Sequence, residues 1–328
     1  LLLGLLASLA ACGDGQPLFP DEDGGSGDGD GDGNGGNGGN GGSISRSEEQ
    51  DDAGGGYIQD VSYDRKSDTF FVDNLAFDGD NVYTRDEDVP TLSDKGDRAR
   101  YRVYEGDEVT RDPQNGQAIG QATYRAIYGE SENRTDSGEP RTSFAIVRTG
   151  SYVDYGFGGF VYERNGGVDL PTNGQAAYAG DYAGLRTFSG VEAGDRMEYT
   201  TGAVNIAIDF RDFNEGRGVQ GVISDRQAFD LQGNRIETGA GEDQLQLPDL
   251  IFDVGPGTVS GNGELSNGLR SYAVNDEGTL EEYEAGTYYA IVAGDNAQEI
   301  VGVFVVESDD PRFEDVTAQE TGGFIVYR

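Results

Sequence analysis

The sequence predicts an all-β protein whose main body is a barrel or a sandwich. Apolar and polar residues alternate with a period of two in many segments, as in 204–210, where Val204, Ile206, Ile208 and Phe210 share one face. No segment of about 12 residues or more shows the 3.6-residue apolar period of a capped helix. Clusters of Gly, Asn and Asp separate the segments, which is typical of turns between antiparallel strands.

The N-terminus has the pattern of an export signal. Residues 1–11, LLLGLLASLAA, are apolar but far shorter than the roughly 20 residues that span a membrane as a helix. The run ends in Leu9-Ala10-Ala11-Cys12, and Cys12 is the only cysteine of the chain. Small residues after a short apolar run are typical of a signal peptide, and the last four residues resemble a bacterial lipobox. We expect 1–11 to be a signal peptide with a truncated start, cleaved between Ala11 and Cys12, and Cys12 to carry lipid.

The next segment has the composition of a linker. Of the 44 residues from 13 to 56, 17 are Gly and 11 are acidic, while Arg46 is the only base. Such a segment has too little apolar surface to offset its chain entropy. We therefore predict that 12–56, the lipidated Cys12 included, is a disordered tether.

The rest of the chain divides into two regions that differ in the spacing of their strand-like runs. Residues 57–145 contain strand-like runs between long charged stretches and are predicted to form a smaller β-rich subdomain. Residues 146–328 contain closely spaced strands with internal Gly, which is typical of barrel corners. The predicted strands are 57–64, 68–77, 100–105, 122–129, 142–149, 151–163, 174–188, 196–210, 216–223, 249–253, 287–293, 299–307 and 322–327.

Composition excludes several function classes. The chain has 61 acidic and 23 basic residues, a net charge of −38, so nucleic-acid phosphates repel it and we expect no nucleic-acid partner. It has no His, which excludes Ser-His-Asp and Cys-His catalysis, and one Cys cannot form an internal disulfide. Gly216-x-Gly218-x-x-Gly221 matches a dinucleotide motif, but a strand pattern follows it rather than a helix. We expect no enzyme activity, no cofactor and no metal site.

One long break in the second half is the candidate binding loop. Residues 226–248 lie between predicted strands, and long loops on a β scaffold commonly carry binding residues. The polar residues Arg226, Asp230, Asn234 and Arg235 are the ligand-binding candidates. A loop that is only solvated is the alternative.

Residues 150–328 resemble the barrel of transferrin-binding protein B and its relatives. PTNGQAAYAG at 171–180 is similar to one strand of that barrel, and YTTGAVNIAI at 199–208, with Gly221 beyond it, to a following strand pair. AIVAGDNAQEIVGVF at 290–304 is similar to a later hairpin, although Asp295 stands where Pro is usual and Val292 where Phe is common. The residues that match the hairpin pattern are Gly294, Asn296, Ala297, Glu299, Gly302 and Phe304.

The resemblance implies an eight-stranded, side-chain-filled antiparallel barrel with an adjoining handle-like β subdomain. It also implies a lipoprotein of the Gram-negative outer membrane, exposed at the cell surface, which binds a protein or solute ligand in nutrient acquisition. Transferrin-binding protein B has two such lobes and this sequence has one. Three other hypotheses are an acidic surface protein with a structural or shielding role and no specific ligand, a small transmembrane barrel, and an enzyme with paired carboxylates.

Overall fold

The structure is a computed structural model, and its described part is entirely β and irregular. It describes residues 42–48, 58, 60–73, 75, 82–92, 101–106, 109–111, 114–120, 123–149, 155–190, 196–213, 216–239, 244–256, 258–275 and 277–328. No described residue is helical, so this part of the chain contains no helix able to cross a membrane. The predicted all-β class is confirmed.

The first half of the chain forms a nine-stranded antiparallel sheet, here called the first sheet, and a separate hairpin. The strands of the first sheet are β1 (Ile44–Ser47), β2 (Asp60–Asp64), β3 (Thr69–Asp73), β4 (Tyr83–Arg85), β5 (Thr91–Leu92), β6 (Tyr101–Glu105), β9 (Arg125–Glu130), β10 (Thr142–Arg148) and β11 (Gly158–Arg164). Their order is β1-β11-β10-β9-β6-β4-β3-β2, with β5 paired to β6. Strands β7 (Val109–Arg111) and β8 (Ala118–Gly120) form the hairpin.

The second half forms a closed antiparallel barrel of eight strands. These strands are β12 (Gln175–Ser189), β13 (Met197–Phe213), β14 (Gly216–Phe229), β16 (Leu250–Phe252), β18 (Glu264–Val274), β19 (Leu280–Ala293), β20 (Glu299–Asp309) and β21 (Thr317–Tyr327). They pair in chain order, and β21 pairs with β12 to close the ring. Two short strands, β15 (Arg235–Ile236) and β17 (Gly255–Pro256), pair with β14.

One face of the first sheet packs on the outside of the barrel. Phe144, Ile146 and Phe160 of this face join Leu185 and Ile325 of the barrel in one apolar cluster. Side chains alternate along a strand. The neighbours of these residues in the first sheet therefore face away from the barrel, and the neighbours of Leu185 and Ile325 face the barrel interior. The apolar contact joins the first sheet and the barrel into one body.

The first sheet curls over its other face. Its two ends are β1 and β2, yet Tyr63 of β2 contacts the ring of Tyr128 on β9, with ring centroids 5.0 Å apart. Phe70 lies 5.9 Å from the same Tyr128 ring, and Tyr104 completes an aromatic core on this side. This curled face, away from the barrel, is where an open cavity lies between β2 and β9–β11.

Strand β1 contacts both the first sheet and the barrel. It pairs with β11 from Ile44↔Arg164 to Ser47↔Val161, and Arg46 Nε donates to Glu264 Oε1 of the barrel at 2.8 Å. Arg164, which is fully buried, donates to the carbonyl oxygens of Gly42 (2.7 Å), Asn262 and Val292 (both 2.8 Å). These bonds join the start of β1 to β19 of the barrel and to the turn before β18.

The structure confirms the eight-stranded barrel but changes the assignment of three segments. The sequence pattern assigns the predicted strand 151–163 to the barrel, whereas the structure places β10 and β11 in the first sheet. The expected domain boundary after residue 145 therefore falls inside β10. The chain passes to the barrel between Arg164 and Gln175. The eighth barrel strand is β18, which was not predicted. Within the expected disordered tether, residues 44–47 form β1 because β11 offers them an edge to pair with.

Candidate functional site

The structure places Arg226 inside the barrel rather than on a binding loop. Its guanidinium donates to both oxygens of Glu284 at 2.6 and 2.9 Å and to Glu320 Oε2 at 2.7 Å. It also reaches the carbonyl oxygen of Pro248 at 2.7 Å. The loop therefore begins later than predicted, because β14 continues to Phe229 and directs Arg226 inward. The expectation that Arg226 lies on the loop is wrong.

Arg226 belongs to a charge cluster that fills one end of the barrel. Four arginines and four carboxylates balance there: Arg186, Arg196, Arg226 and Arg312 with Glu198, Glu284, Asp310 and Glu320. Hydroxyl groups complete the cluster, since Ser271 donates to Glu284 at 2.7 Å and Thr200 to Glu320 at 2.9 Å. The rest of the interior is apolar. One end of the barrel is thus built on buried ion pairs and the other on hydrophobic packing.

A stack of arginine and phenylalanine side chains closes the charged end. The guanidinium of Arg196 lies 4.2 Å from the ring centroids of both Phe188 and Phe313. Burial alone would raise the pKa of Asp310, but hydrogen bonds from Arg312 outweigh it and hold that pKa below its ordinary value. Arg312 also bonds Glu198 at 2.9 Å. Most of these side chains are buried, so the cluster holds the strands of this end of the barrel together through ion pairs.

The other three candidates lie in an exposed turn. Asp230 Oδ1 accepts hydrogen bonds from the backbone N–H groups of Gln232 (3.0 Å) and Asn234 (2.8 Å), which shape the turn. The Asn234 side chain donates to Asp230 Oδ2 at 2.9 Å, and Arg235 follows on β15. These hydrogen bonds lower the pKa of Asp230, the side-chain bond from Asn234 most of all. A binding role for Asp230, Asn234 and Arg235 stays a prediction, and Ala11 and Cys12 lie outside the described residues.

The cavity on the curled face of the first sheet is the better candidate for a ligand site. Its volume is about 120 Å³, somewhat less than a cavity known to hold benzene, so it suits a ligand group of roughly five to seven non-hydrogen atoms. One wall comes from β2 and the residue after it, and the floor from β9, β10 and β11. The lining residues are Val61, Tyr63, Arg65, Tyr128, Glu139, Pro140, Ser143, Phe144, Ala145, Val161, Glu163 and Asn165.

Ser143 and Glu163 on the floor of this cavity belong to a row of three polar residues that continues beyond the lining to Glu130. Strand register places Glu130 of β9 opposite Ser143 of β10, and Ser143 opposite Glu163 of β11. Ser143 Oγ donates to Glu163 Oε1 at 2.6 Å. Neighbouring strands lie about 4.8 Å apart, so the two carboxylates start from backbone positions about 10 Å apart.

The two carboxylates of the row have opposite surroundings. Arg65, Arg102 and Arg134 all bond Glu130, at 2.8, 3.2 and 3.2 Å, so that end has more positive than negative charge. These arginines hold the pKa of Glu130 below its ordinary value despite its burial. Neither Glu163 nor the nearby Glu139 forms an ion pair with a residue that the structure describes. The cavity therefore has a positive end and a negative end.

Tyr128 lies two residues before Glu130, on the same face of β9. The residue is 7% exposed and lines the cavity, but its hydroxyl makes no hydrogen bond within the described part of the chain. Burial raises the pKa of Tyr128, and the charges of Glu130 and Glu163 raise it further. The hydroxyl is therefore neutral at physiological pH. It is a donor near both carboxylates and can serve a bound molecule.

Sequence reasoning missed this cavity entirely. Alternation alone places Tyr128 and Glu130 on one face of a strand, and Ser143 and Ala145 on one face of the next. The register of the consecutive strands β9, β10 and β11 sets these faces beside Glu163, and the curl of the sheet brings Tyr63 over them from β2, far earlier in the chain. No local signal gives that register.

A second cavity of about 170 Å³ lies on the outer wall of the barrel. Its polar lining is Gln175, Asp209 and Gln220, and it contains the exposed Val254. Gln175 Nε2 already donates to Asp209 Oδ2 at 2.8 Å. Within the described ranges, no three His, Cys, Asp or Glu side chains are grouped to hold a metal ion.

Comparisons with known proteins find similarity among solved structures only. No protein-family model matches the sequence, and no curated protein is detectably similar to it. A double mutant of transferrin binding protein B from Haemophilus parasuis Hp5 matches over 83% of this chain and 45% of its own, with 12% identity and a TM-score of 0.37. A structure described as a surface lipoprotein matches over 58% of this chain and 78% of its own, with 12% identity and a TM-score of 0.28. Intact Ap-TbpB, with N and C lobes, matches over 67% and 41%, with 12% identity and a TM-score of 0.30. This chain thus spans less than half the length of the Haemophilus protein.

Proposed function

We propose that this protein is a non-enzymatic binding lipoprotein, anchored by lipid on Cys12 in the outer membrane of a Gram-negative bacterium and exposed at the cell surface. Its ligand, a solute or a group on a protein, occupies the cavity between β2 and β9–β11. The observation that carries the proposal is the unused polarity of that cavity: within the described residues the Tyr128 hydroxyl has no hydrogen-bond partner and Glu163 forms no ion pair. Polar groups that converge on a small cavity without partners of their own are available to orient a ligand.

Binding rather than catalysis fits the groups present. The cavity offers a tyrosine hydroxyl, a serine hydroxyl bonded to Glu163, and a guanidinium bonded to Glu130. The chain has no His to act as a general base near neutral pH. These groups can orient a ligand by hydrogen bonds and charge, and no cofactor is required.

The anchor is tested by labelling. Cells that express the protein and are fed radiolabelled palmitate should incorporate label into the wild type and not into Cys12→Ser. Proteinase added to intact cells should degrade the wild type, because we place the body outside the cell. Equal labelling of the two proteins contradicts the anchor, and protection from the proteinase contradicts the surface location.

The binding role is tested by retention. The full chain, immobilised in detergent, is exposed to spent growth medium, and retained material is eluted and identified by mass spectrometry. We expect a component that the wild type retains and that Glu163→Arg, which puts a large cation into the cavity, does not. Glu307→Gln, which removes an exposed charge on the barrel, is the control and should retain it. Retention that survives Glu163→Arg contradicts this site.

A structural or shielding role is the second candidate function. It rests on the excess of acidic over basic residues, 61 against 23, which keeps neighbouring molecules apart by charge repulsion. This role predicts that the wild type retains no component at all. It also predicts that loss of the gene changes surface charge, measured by cell electrophoresis, without changing growth on any nutrient.

A further inference from the structure

We infer that the cavity of the first sheet takes a small zwitterion of the amino-acid class, with its ammonium group at Glu163 and its carboxylate at Arg65. The inference rests on the proposed function and specifies its ligand. It follows from the opposite charges of Arg65 and Glu163, which line one small cavity, and from the Tyr128 hydroxyl in the same lining, which has no hydrogen-bond partner among the described residues.

The positive end has donors to spare. A guanidinium carries five N–H donors, and Arg65 uses one of them at Glu130 Oε2. Arg102 and Arg134 bond Glu130 as well, so three positive charges face the single negative charge of that carboxylate. Arg102 also lies over the ring of Tyr63, 5.1 Å from its centroid, on the same side. A ligand carboxylate placed against Arg65 meets uncompensated positive charge.

The negative end has acceptors to spare. Glu163 accepts one hydrogen bond, from Ser143, and its second oxygen has no partner within the described part of the chain. Glu139 adds a second carboxylate on the rim. An ammonium group at this end forms a charge-assisted hydrogen bond, which is roughly twice as strong as a neutral one.

The size of the cavity fits a short ligand, and Arg65 and Glu163 both line it. The volume of about 120 Å³ admits a small side chain at most. The Tyr128 hydroxyl then donates to the ligand carboxylate.

The test compares one zwitterion with its two singly charged analogues. The full chain in detergent is titrated with L-alanine, with L-alanine amide, which keeps only the ammonium, and with N-acetyl-L-alanine, which keeps only the carboxylate. Calorimetry and saturation-transfer NMR follow binding. We expect L-alanine to bind saturably, one per chain, at least about tenfold tighter than either analogue.

Matched substitutions assign each end. Glu163→Gln keeps an acceptor for Ser143 but removes the charge, so L-alanine should then bind no better than N-acetyl-L-alanine. Arg65→Gln, at a half-exposed side chain, should reduce L-alanine to the affinity of its amide. Glu307→Gln should leave all three affinities unchanged. Circular dichroism melts of each variant check that it is folded.

Two results overturn the inference. L-alanine amide binding as tightly as L-alanine means that the cavity is a cation site, and no saturable binding of L-alanine means that it holds no small amino acid. If no probe binds but retention of a medium component still depends on Glu163, the zwitterion inference is wrong while the proposed function stands. If neither L-alanine nor any medium component is bound, both are wrong.

Discussion

Replacing Arg226 by Met tests whether the charge cluster stabilises the barrel. Arg226 is 6% exposed, and its guanidinium bonds two buried carboxylates, of Glu284 and Glu320. Met fills a similar volume without charge. After the change, Glu284 keeps only the hydrogen bond from Ser271, and Glu320 keeps that from Thr200. Two carboxylates are then buried without their main cation.

The expected loss of unfolding free energy is about 3–5 kcal/mol, the usual cost of leaving a buried charge without its partner. That is a large part of the 5–15 kcal/mol that stabilises a typical domain. For a body of this size it corresponds to a fall in Tm of roughly 6–20 °C. Urea denaturation followed by circular dichroism gives the free energy, and calorimetry gives the Tm.

A charge-neutral companion separates charge from packing. Arg226→Met combined with Glu284→Gln and Glu320→Gln removes the guanidinium and both of its carboxylates, so at least half of the lost stability should return. A single-variant loss below about 1 kcal/mol, or no recovery in the triple variant, refutes this account of the cluster.

Three further predictions follow from particular contacts. Deleting 42–48 removes β1 and its bonds to β11 and the barrel. Thermal melts should then show a Tm lower by several degrees than that of the chain cut only before residue 42. Equal Tm values would show that β1 adds nothing to stability. Burial raises the pKa of Tyr178 and of Tyr283 to about 12. The free energy of unfolding, measured by urea denaturation, should therefore be constant up to about pH 10, the pKa of tyrosine in the unfolded chain, and fall as the pH rises through about 12. A rise in the free energy of unfolding over that range contradicts the prediction. In Gly286→Ala the new Cβ would lie 1.9 Å from the Val305 carbonyl oxygen on the paired strand, so the free energy of unfolding should fall by at least about 2 kcal/mol. An unchanged free energy of unfolding would mean that the two strands can separate locally.

The fold class could be predicted because alternation is strong where a strand has one apolar face. β12 and β13 pair along 13 successive residues, and both were predicted nearly to their ends. β18 could not be predicted, since ELSNGLRSYAV mixes polar and small residues on both faces. Those polar residues are explained only by the structure: Glu264 bonds Arg46, and Ser271 bonds Glu284 within the charge cluster.

The candidate site could not be predicted for a related reason. Arg226 was selected because it begins the long break 226–248, which was interpreted as a loop, whereas it has its partners inside the barrel. Alternation from the inward Val219 and Ile223 would place Arg226 on the outer face, and only the register shift around Asp225 turns it inward. Its partners come from β19 and β21, far along the chain. The cavity depends in the same way on the register of β9, β10 and β11 and on the curl that brings Tyr63 above Tyr128.

The attachment of β1 has a mechanical consequence for a tethered protein. Tension from an anchor at Cys12 would enter the described body at Gly42, whose carbonyl oxygen accepts from Arg164. The load then divides, since β1 pairs along β11 and Arg46 bonds Glu264 of the barrel. A pull directed along β1 shears its hydrogen bonds with β11 together instead of peeling them one at a time. In the proposed lipid-anchored form, a pull on the chain would therefore load β11 and the barrel together through β1.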